Sequence, residues 1–246
     1  MREEQTVTGI ILYTTLVGEY DKRLVILTKE RGKITVFANG ARRPNSTVRA
    51  ACQSYVMGTF WVVQGRDAYN LVKAHVDEYF SELAYDMEKM CYASYFCELM
   101  SYYVREGDFC TNHLNLLYVT FKTLLANTIS PKQIRRVYEL KLMDLEGQGL
   151  HAHACIKCGK KAVSYFDAKQ GGLLCAECAR KYNIKRSVSE TLVYTLQYIM
   201  SAPIGALYGF TLKEDALREL EDVAGGFMEQ YIDRNFKSLE ILSTLA

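Results

Sequence analysis

The chain has 246 residues, of which 49% are hydrophobic and 24% are charged, and its net charge is only +2. These values describe an ordinary globular protein that can bury a core in one large domain or two smaller ones. No apolar run approaches the roughly 20 residues of a membrane helix, and the first residues lack the apolar stretch of a signal peptide. We therefore expect a cytoplasmic protein whose cysteines stay reduced.

Residues 1–80 are predicted to form strands with no helix between them. β-Branched and aromatic residues are concentrated at 6–13, 23–28 and 34–38, with turn residues between them. Further strand patterns occur at 53–57, 59–63 and 69–76. Five or six short strands favour a small closed barrel, because closure removes exposed edges. The five-stranded oligonucleotide-binding (OB) barrel is the natural candidate.

From residue 81 onward the apolar residues recur with a helical period. We expect a first helix that Gly107 ends, and a second helix over about 112–127. Ser130 is predicted to cap a third helix, which has Pro131 at its first position.

The remaining helices are expected after a cysteine-rich segment. Ser189 is predicted to cap a helix that ends before Pro203, and residues 211–214 have the capping-box pattern for a last helix. Gly225 and Gly226 inside that last segment indicate either a break or a close helix crossing. The predicted fold is therefore α+β and multidomain, with an OB barrel at 1–80, a helical domain at 81–246 and a zinc-finger insertion at 150–186.

The cysteine-rich segment contains two C-x2-C pairs, Cys155 with Cys158 and Cys175 with Cys178. Two such turns separated by a hairpin-sized insert supply four thiolates to one tetrahedral zinc ion. The alternative is two disulfides, which would need an oxidising compartment. Four thiolates close the coordination shell, so we expect one structural zinc ion rather than a catalytic one.

The neighbours of the cysteine pairs fit this interpretation. Gly159 suits a knuckle that requires positive φ, and Gly171 and Gly172 let the chain turn back before the second pair. His151 and His153 lie nearby in sequence, but a closed four-cysteine shell leaves them no vacancy. The other four cysteines have no metal spacing and are expected to be small buried hydrophobic residues.

Positive charge is concentrated in one part of the chain. Residues 130–186 carry 12 Lys and Arg against 5 Asp and Glu, whereas residues 187–246 carry 4 against 9. A local excess of this kind is typical of a surface that binds nucleic acid, although solvated lysines on a small metal module give the same count.

The barrel also has candidate DNA-binding side chains. Arginine binds phosphate bidentately, and exposed aromatic rings stack on bases. The cationic candidates are Lys33, Arg42, Arg43 and Arg49, and the aromatic ones are Tyr20, Phe37, Tyr55 and Trp61. Each of these rings taken alone is more often part of a core than of a binding surface, so the arginines are the stronger candidates.

The common catalytic motifs are absent from the sequence, including the nucleophile elbow, the H-E-x-x-H zinc motif and the Gly-rich phosphate loops. We therefore expect a binding protein rather than an enzyme. Two classes stay open: a nucleic-acid-binding protein, and a zinc-stapled adaptor whose barrel binds a protein.

Several short motifs, taken in chain order, resemble the RecO family of bacterial recombination mediators. They cover nearly the whole chain and are Gly18-Glu-Tyr-Asp21, Leu27-Thr-Lys-Glu-Arg-Gly-Lys33, Gly40-Ala-Arg-Arg43 with Ser46, Arg135-Arg-Val-Tyr-Glu-Leu-Lys-Leu142, Cys155-x-x-Cys158-Gly159 and Gly171-Gly-Leu-Leu-Cys175-x-x-Cys178. Where the family often has lysine before Gly40 and before Ser46, this chain has Asn39 and Asn45.

The resemblance implies an OB barrel, a helical domain, a structural zinc finger and a role in recombinational DNA repair. It implies binding of single- and double-stranded DNA, annealing of complementary strands, and action with RecR to load RecA onto DNA covered by single-stranded DNA-binding protein. In the family the acidic, aromatic-ended tail of that protein docks on the helical domain, and the matching positions here are Arg135 and Arg136.

Overall fold

The computed structural model describes residues 3–245. The chain forms two compact units: the first contains the residues up to Phe121 together with those from Phe236 onward, and the second is Lys122–Asn235. Strands dominate the beginning of the chain and helices the remainder, so the predicted mixed α+β class is confirmed. Within the described residues, we find no helix with the length and hydropathy needed to span a membrane.

The first unit contains five strands, which are β1 (Glu4–Val17), β2 (Asp21–Thr28), β3 (Gly32–Ala38), β4 (Val56–Gln64) and β5 (Tyr69–Tyr79). They form a closed barrel in the order β1-β2-β3-β5-β4. The first half of β1 pairs with β4 and its second half with β2, while a short parallel pairing of β3 with β5 completes the ring. The interior is filled by aliphatic residues together with Cys52, Phe60 and Tyr69, all nearly inaccessible to solvent.

Two glycines face each other where β1 passes from one neighbouring strand to the other. Gly9 pairs with Gly58 of β4 and with Thr28 of β2. A Cβ atom on Gly9 would lie 2.3 Å from the carbonyl oxygen of Leu27, and one on Gly58 would lie 2.1 Å from that of His75. Because glycine has no side chain, the backbones can approach each other closely at these two positions, which allows the barrel to close. The two strands expected at 53–57 and 59–63 are a single strand that runs through Gly58.

The helices are α1 (Met87–Tyr103), α2 (Thr111–Ala126), α3 (Pro131–Leu145), α4 (Ala176–Lys181), α5 (Glu190–Ser201), α6 (Glu214–Met228) and α7 (Lys237–Ser243). In the first unit, α1 begins at the side-chain cap of Asp86 and ends four residues before Gly107, so it is shorter than expected. α7 returns from the end of the chain to α1, where the ring of Phe236 meets Tyr95 edge-on at 5.4 Å and Ser238 donates a hydrogen bond to Glu98.

In the second unit, α3, α5 and α6 pack against one another, and the two short strands β6 (Tyr165–Asp167) and β7 (Gly172–Leu174) form an antiparallel hairpin. Two predicted helix caps are confirmed. The hydroxyl of Ser130 accepts a hydrogen bond from the backbone N–H of Gln133 at 3.2 Å, and that of Ser189 accepts one from Leu192 at 3.1 Å.

The expected capping box at residues 211–214 is wrong. α6 begins after Lys213, which provides no side-chain cap. The reason is that the Gln133 side chain of α3 accepts a hydrogen bond from the backbone N–H of Leu212 at 3.0 Å and holds this segment extended.

Gly225 and Gly226 lie inside α6 and do not break it. A Cβ atom on Gly225 would lie 3.6 Å from the guanidinium of Arg136 on α3, so the glycine allows a close approach of the two helices.

The change from strand to helix falls after Tyr79, as expected. The domain limits at residue 80 and at 150–186 stay predictions.

Candidate metal centre and nucleic-acid surface

Four cysteines converge around the β6–β7 hairpin. The Sγ atoms of Cys155, Cys158, Cys175 and Cys178 all lie within 4.8 Å of one another, and those of Cys158 and Cys175 are 3.7 Å apart. Thiolates bound tetrahedrally to zinc at about 2.3 Å lie about 3.8 Å from each other, whereas a disulfide bond is about 2.05 Å long. All eight cysteines are free, so the cluster fits a metal ion and not the two disulfides weighed from the sequence.

Backbone hydrogen bonds shape the two knuckles that present these thiols. In the first, the N–H of Gly159 donates to the carbonyl of Cys155 at 2.8 Å, and Gly159 has φ +75, as predicted. In the second, Cys175 precedes α4, and the N–H of Tyr182 donates to the carbonyl of Cys178 at 2.9 Å. Each pair is therefore held by a short, locally bonded turn.

The acidities of the thiols differ within the cluster. Burial raises the pKa of the Cys155 thiol, but hydrogen bonds from the backbone at Cys175, Lys157 and Cys158 outweigh it and lower that pKa to about 6. Burial and hydrogen bonds with the neighbouring cysteines raise the pKa of the Cys178 thiol to about 12. Four thiolates at these separations repel one another, and a divalent cation offsets that repulsion. The donor set therefore suits a bound cation.

The two nearby histidines lie outside the cysteine cluster. The Nε2 atom of His153 is 3.0 Å from the hydroxyl of Ser201, and the backbone of His151 exchanges hydrogen bonds with Gly171 and Leu173. Within the described residues, the group that could hold a metal ion contains only the four cysteines. The histidines are polar neighbours, as the sequence indicates.

In the barrel, the loop between β3 and β4 exposes three of the predicted cations, Arg42, Arg43 and Arg49. The N–H of Arg42 donates to the carbonyl of Tyr20 at 2.8 Å, which ties the loop to the β1–β2 turn. The guanidinium of Arg43 lies 5.5 Å from the centre of the Tyr20 ring, and that residue is 41% exposed. Across residues 3–245, none of the three arginines has an acidic partner. The loop thus presents uncompensated positive charge beside an exposed ring.

Lys33 differs from these arginines. Its ammonium group donates a hydrogen bond to the carbonyl oxygen of Ser101. Burial, and secondarily the charge of Arg105, lowers the pKa of Lys33. The Lys33 side chain is therefore engaged within the first unit and has less freedom to reach a ligand.

The aromatic candidates also divide into two groups. Tyr55 is buried, with its hydroxyl 2.7 Å from that of Ser94 and its ring edge-on to Phe121 at 5.5 Å, so it is a core residue and offers no stacking face. Trp61 is half-buried on β4, and the ammonium of Lys73 lies 4.5 Å from its ring centre. Lys73 was not among the candidates predicted from the sequence. It could have been found only from the strand register, which pairs Trp61 with Lys73 across β4 and β5.

Arg135 and Arg136 both bind the same carboxylate. Arg135 Nε lies 2.8 Å from one oxygen of Glu139, and Arg136 NH1 lies 2.8 Å from the other. The Glu139 side chain is 1% exposed, while those of Arg135 and Arg136 are 24% and 14% exposed. Arg136 thus pairs with Glu139, whereas Asp144 of the same helix pairs with Lys141. Much of this positive charge is therefore compensated inside the second unit.

Comparison with known proteins places this architecture in a family. Residues 1–80 match the family model described as "Recombination protein O N terminal", and residues 84–240 match "Recombination protein O C terminal". The chain is 30% identical to proteins named "DNA repair protein RecO" from Acetivibrio thermocellus, over 97% of this chain and 96% of that protein, and from Desulforudis audaxviator, over 98% and 97%. A third protein of that name, from Alkaliphilus metalliredigens, is 30% identical over 95% of this chain and 96% of its own length. This chain therefore belongs to the RecO family.

Proposed function

We propose that this protein is a DNA repair and recombination mediator that binds single- and double-stranded DNA and anneals complementary strands. The observation that carries the proposal is similarity along nearly the whole chain to proteins named "DNA repair protein RecO". The proposal includes RecR as a partner, with which the protein helps load RecA onto DNA covered by single-stranded DNA-binding protein. Its place of action is then the nucleoid in the bacterial cytoplasm.

The barrel supports DNA binding through its topology and its charge. The strand order β1-β2-β3-β5-β4, with β3 parallel to β5, is the arrangement we assign to an OB fold. OB folds hold single strands with a cationic groove and stacked aromatic rings. The exposed Arg42 and Arg43, with Tyr20 beside them, and the Trp61–Lys73 pair supply both kinds of group. Lys33 has a smaller part in this proposal because Ser101 engages its ammonium group.

The proposed mechanism is electrostatic and requires no covalent chemistry. Two complementary strands repel each other through their phosphates, and a cationic surface that binds both backbones screens that repulsion. Contacts with phosphate leave the base edges free to pair and carry no sequence preference. We therefore propose a non-enzymatic protein. The competing function is a zinc-stapled adaptor that binds no DNA, and the salt dependence of DNA binding separates the two.

We also propose that the four-cysteine cluster holds one structural Zn²⁺. Cys155, Cys158, Cys175 and Cys178 would be its ligands, and they are thiols at mutual distances suited to tetrahedral coordination. When bound, the ion supplies the positive charge that lets the thiols ionise together. Because all four positions are then occupied by protein, the ion has a structural role and contributes to folding.

The third part of the proposal concerns the acidic tail of single-stranded DNA-binding protein. We propose that it contacts Arg135 and Arg136 of α3. The two guanidiniums share one carboxylate, that of Glu139, and the forked N–H donors of arginine suit the binding of carboxylates. Arg135 is the more exposed of the two and is the better placed to meet a ligand.

Arg42→Ala/Arg43→Ala is expected to weaken DNA binding in a salt-dependent way. Each lost phosphate contact lowers the slope of log affinity against log salt by about 0.7 on a single strand, so the double variant should lose about 1.4. Fluorescence anisotropy of a labelled single strand across a salt series measures this slope. Lys213→Ala/Arg218→Ala is the matched control, because it removes two exposed cations from the acidic part of the chain. An unchanged slope would move the DNA site away from the barrel loop, and wild-type protein that binds no DNA would favour the adaptor.

Cys155→Ser/Cys158→Ser is expected to lose bound zinc and to unfold at a lower temperature, because binding of a structural metal contributes free energy of folding. Elemental analysis and circular dichroism measure the two effects. His151→Ala/His153→Ala, which alters the neighbouring imidazoles, should keep the zinc. The structural role would be contradicted if the cysteine variant kept its melting temperature and yet lost DNA binding.

Arg135→Ala is expected to weaken binding of an acidic peptide that ends in an aromatic residue by about tenfold, the effect of one lost charge-assisted hydrogen bond. Arg136 still neutralises Glu139 in this variant, so the fold should persist. Isothermal titration calorimetry measures the affinity. Lys132→Ala on the same helix removes an exposed cation and serves as the control. Equal affinities for all three proteins would exclude this site for the tail.

A further inference from the structure

The metal module carries an exposed aromatic ring close to two lysines. Tyr182 follows α4 and is 46% exposed. The ammonium of Lys157 lies 5.0 Å from the centre of its ring, and that of Lys181 lies 5.7 Å away. An exposed ring next to cationic groups is the combination that binds single-stranded nucleic acid, with a base on the ring and phosphates on the cations.

The surroundings of Tyr182 are strongly basic. Residues 151–186 carry 8 Lys and Arg against 2 Asp and Glu, and all eight cations are exposed. Lys160 pairs with Glu177, and Arg186 lies 3.7 Å from Asp222. The side chains of the other six form no ion pair within residues 3–245, although Arg180 and Lys181 lie close enough to Glu177 to interact with its charge. These six are Lys157, Lys161, Lys169, Arg180, Lys181 and Lys185. Their charge is available to an anionic ligand.

The position of the ring depends on the cysteine cluster. Lys157 stands between Cys155 and Cys158 in the first knuckle. The N–H of Tyr182 donates to the carbonyl of Cys178 in the second, and Asn183 turns the chain with φ +57 immediately afterwards. A metal ion held by both knuckles would therefore fix Lys157 and Tyr182 relative to each other, although 24 residues separate them in sequence.

We propose that Tyr182, Lys157 and Lys181 form a stacking site for one unpaired base of single-stranded DNA on the metal module. The base lies on the Tyr182 ring, and the two ammonium groups bind the phosphates on either side of it. An exposed contact between an ammonium group and an aromatic ring is weaker than base stacking, so a base can displace the lysines from the face of the Tyr182 ring. This inference rests on the proposed DNA-binding function and adds a second contact surface to that of the barrel.

The site favours a single strand over other polyanions for a geometrical reason. A duplex keeps its bases stacked inside the helix, so its phosphates reach the lysines while its bases cannot reach the ring. An acidic peptide would use the lysines and gain nothing from an aromatic face. Dependence on the ring together with dependence on bases is therefore the signature of this site.

The test compares two labelled probes on the zinc-loaded full-length protein: a strand of about 20 deoxythymidines, and an abasic strand of the same length that keeps the phosphates. Tyr182→Leu should weaken binding of the deoxythymidine strand by about tenfold and leave abasic binding within about twofold of wild type. Tyr182→Phe retains the ring and should match wild type on both probes. Tyr194→Leu, which removes a more exposed tyrosine of α5, is the control and should change neither.

Zinc content and circular dichroism verify that each variant is folded. Equal binding of the deoxythymidine strand by wild type and Tyr182→Leu would overturn the stacking site while leaving the proposed DNA-binding function intact. Equal losses on both probes would also overturn it, because the ring would then act only by positioning the lysines. A labelled polyglutamate that binds wild type as tightly as the deoxythymidine strand does, and that binds Tyr182→Leu equally well, would indicate an acidic-peptide surface instead. If wild type bound neither strand, the proposed function itself would fail.

Discussion

The crowding of four thiols is the constraint on which the chemistry of the second unit depends. Their sulfur atoms lie within 4.8 Å of one another, a separation at which four thiolates are stable only with a cation between them. Hydrogen bonds shape each knuckle and also join the two, because the backbone at Cys175 donates to the Cys155 thiol and Lys160 pairs with Glu177. A metal ion bound by all four thiols would add a further link and would hold Lys157 and Tyr182 in one rigid surface. Bound metal would thus help to present the positive charge of this segment.

The structure also separates cations that serve the fold from cations that are free to bind. Arg135 and Arg136 share the buried carboxylate of Glu139, and the ammonium of Lys33 is bound to the carbonyl of Ser101. By contrast, the side chains of the barrel-loop arginines and of six cations of the metal module form no ion pair within residues 3–245. The positive charge counted along the sequence is therefore a poor guide to anion binding by α3, whose arginines are engaged within the fold. It is a better guide for the metal module.

Local patterns in the sequence predicted the features that depend on local chemistry. The cysteine pairs, the positive φ of Gly159 and the caps at Ser130 and Ser189 each depend on a few neighbouring residues, and the structure has all of them. The expectations that failed depend on distant partners. Gln133 displaces the expected start of α6 from 79 residues away in sequence. Contacts with the distant Ser94 and Phe121 likewise decide that Tyr55 is a core residue, which its own sequence neighbours leave open. The Lys157–Tyr182 contact could not be predicted for the same reason, because the two residues come together only in the folded metal module.

We expect DNA bases to stack on aromatic rings that have lysine or arginine beside them, and not simply on the most exposed rings. Ultraviolet cross-linking of a single strand that contains 5-iododeoxyuridine, followed by mass spectrometry, tests it directly. We expect DNA adducts at Tyr182 and Tyr20, which are 46% and 41% exposed and lie beside lysine or arginine. Adducts concentrated instead at Tyr85 and Tyr194, which are 84% and 71% exposed, would contradict it.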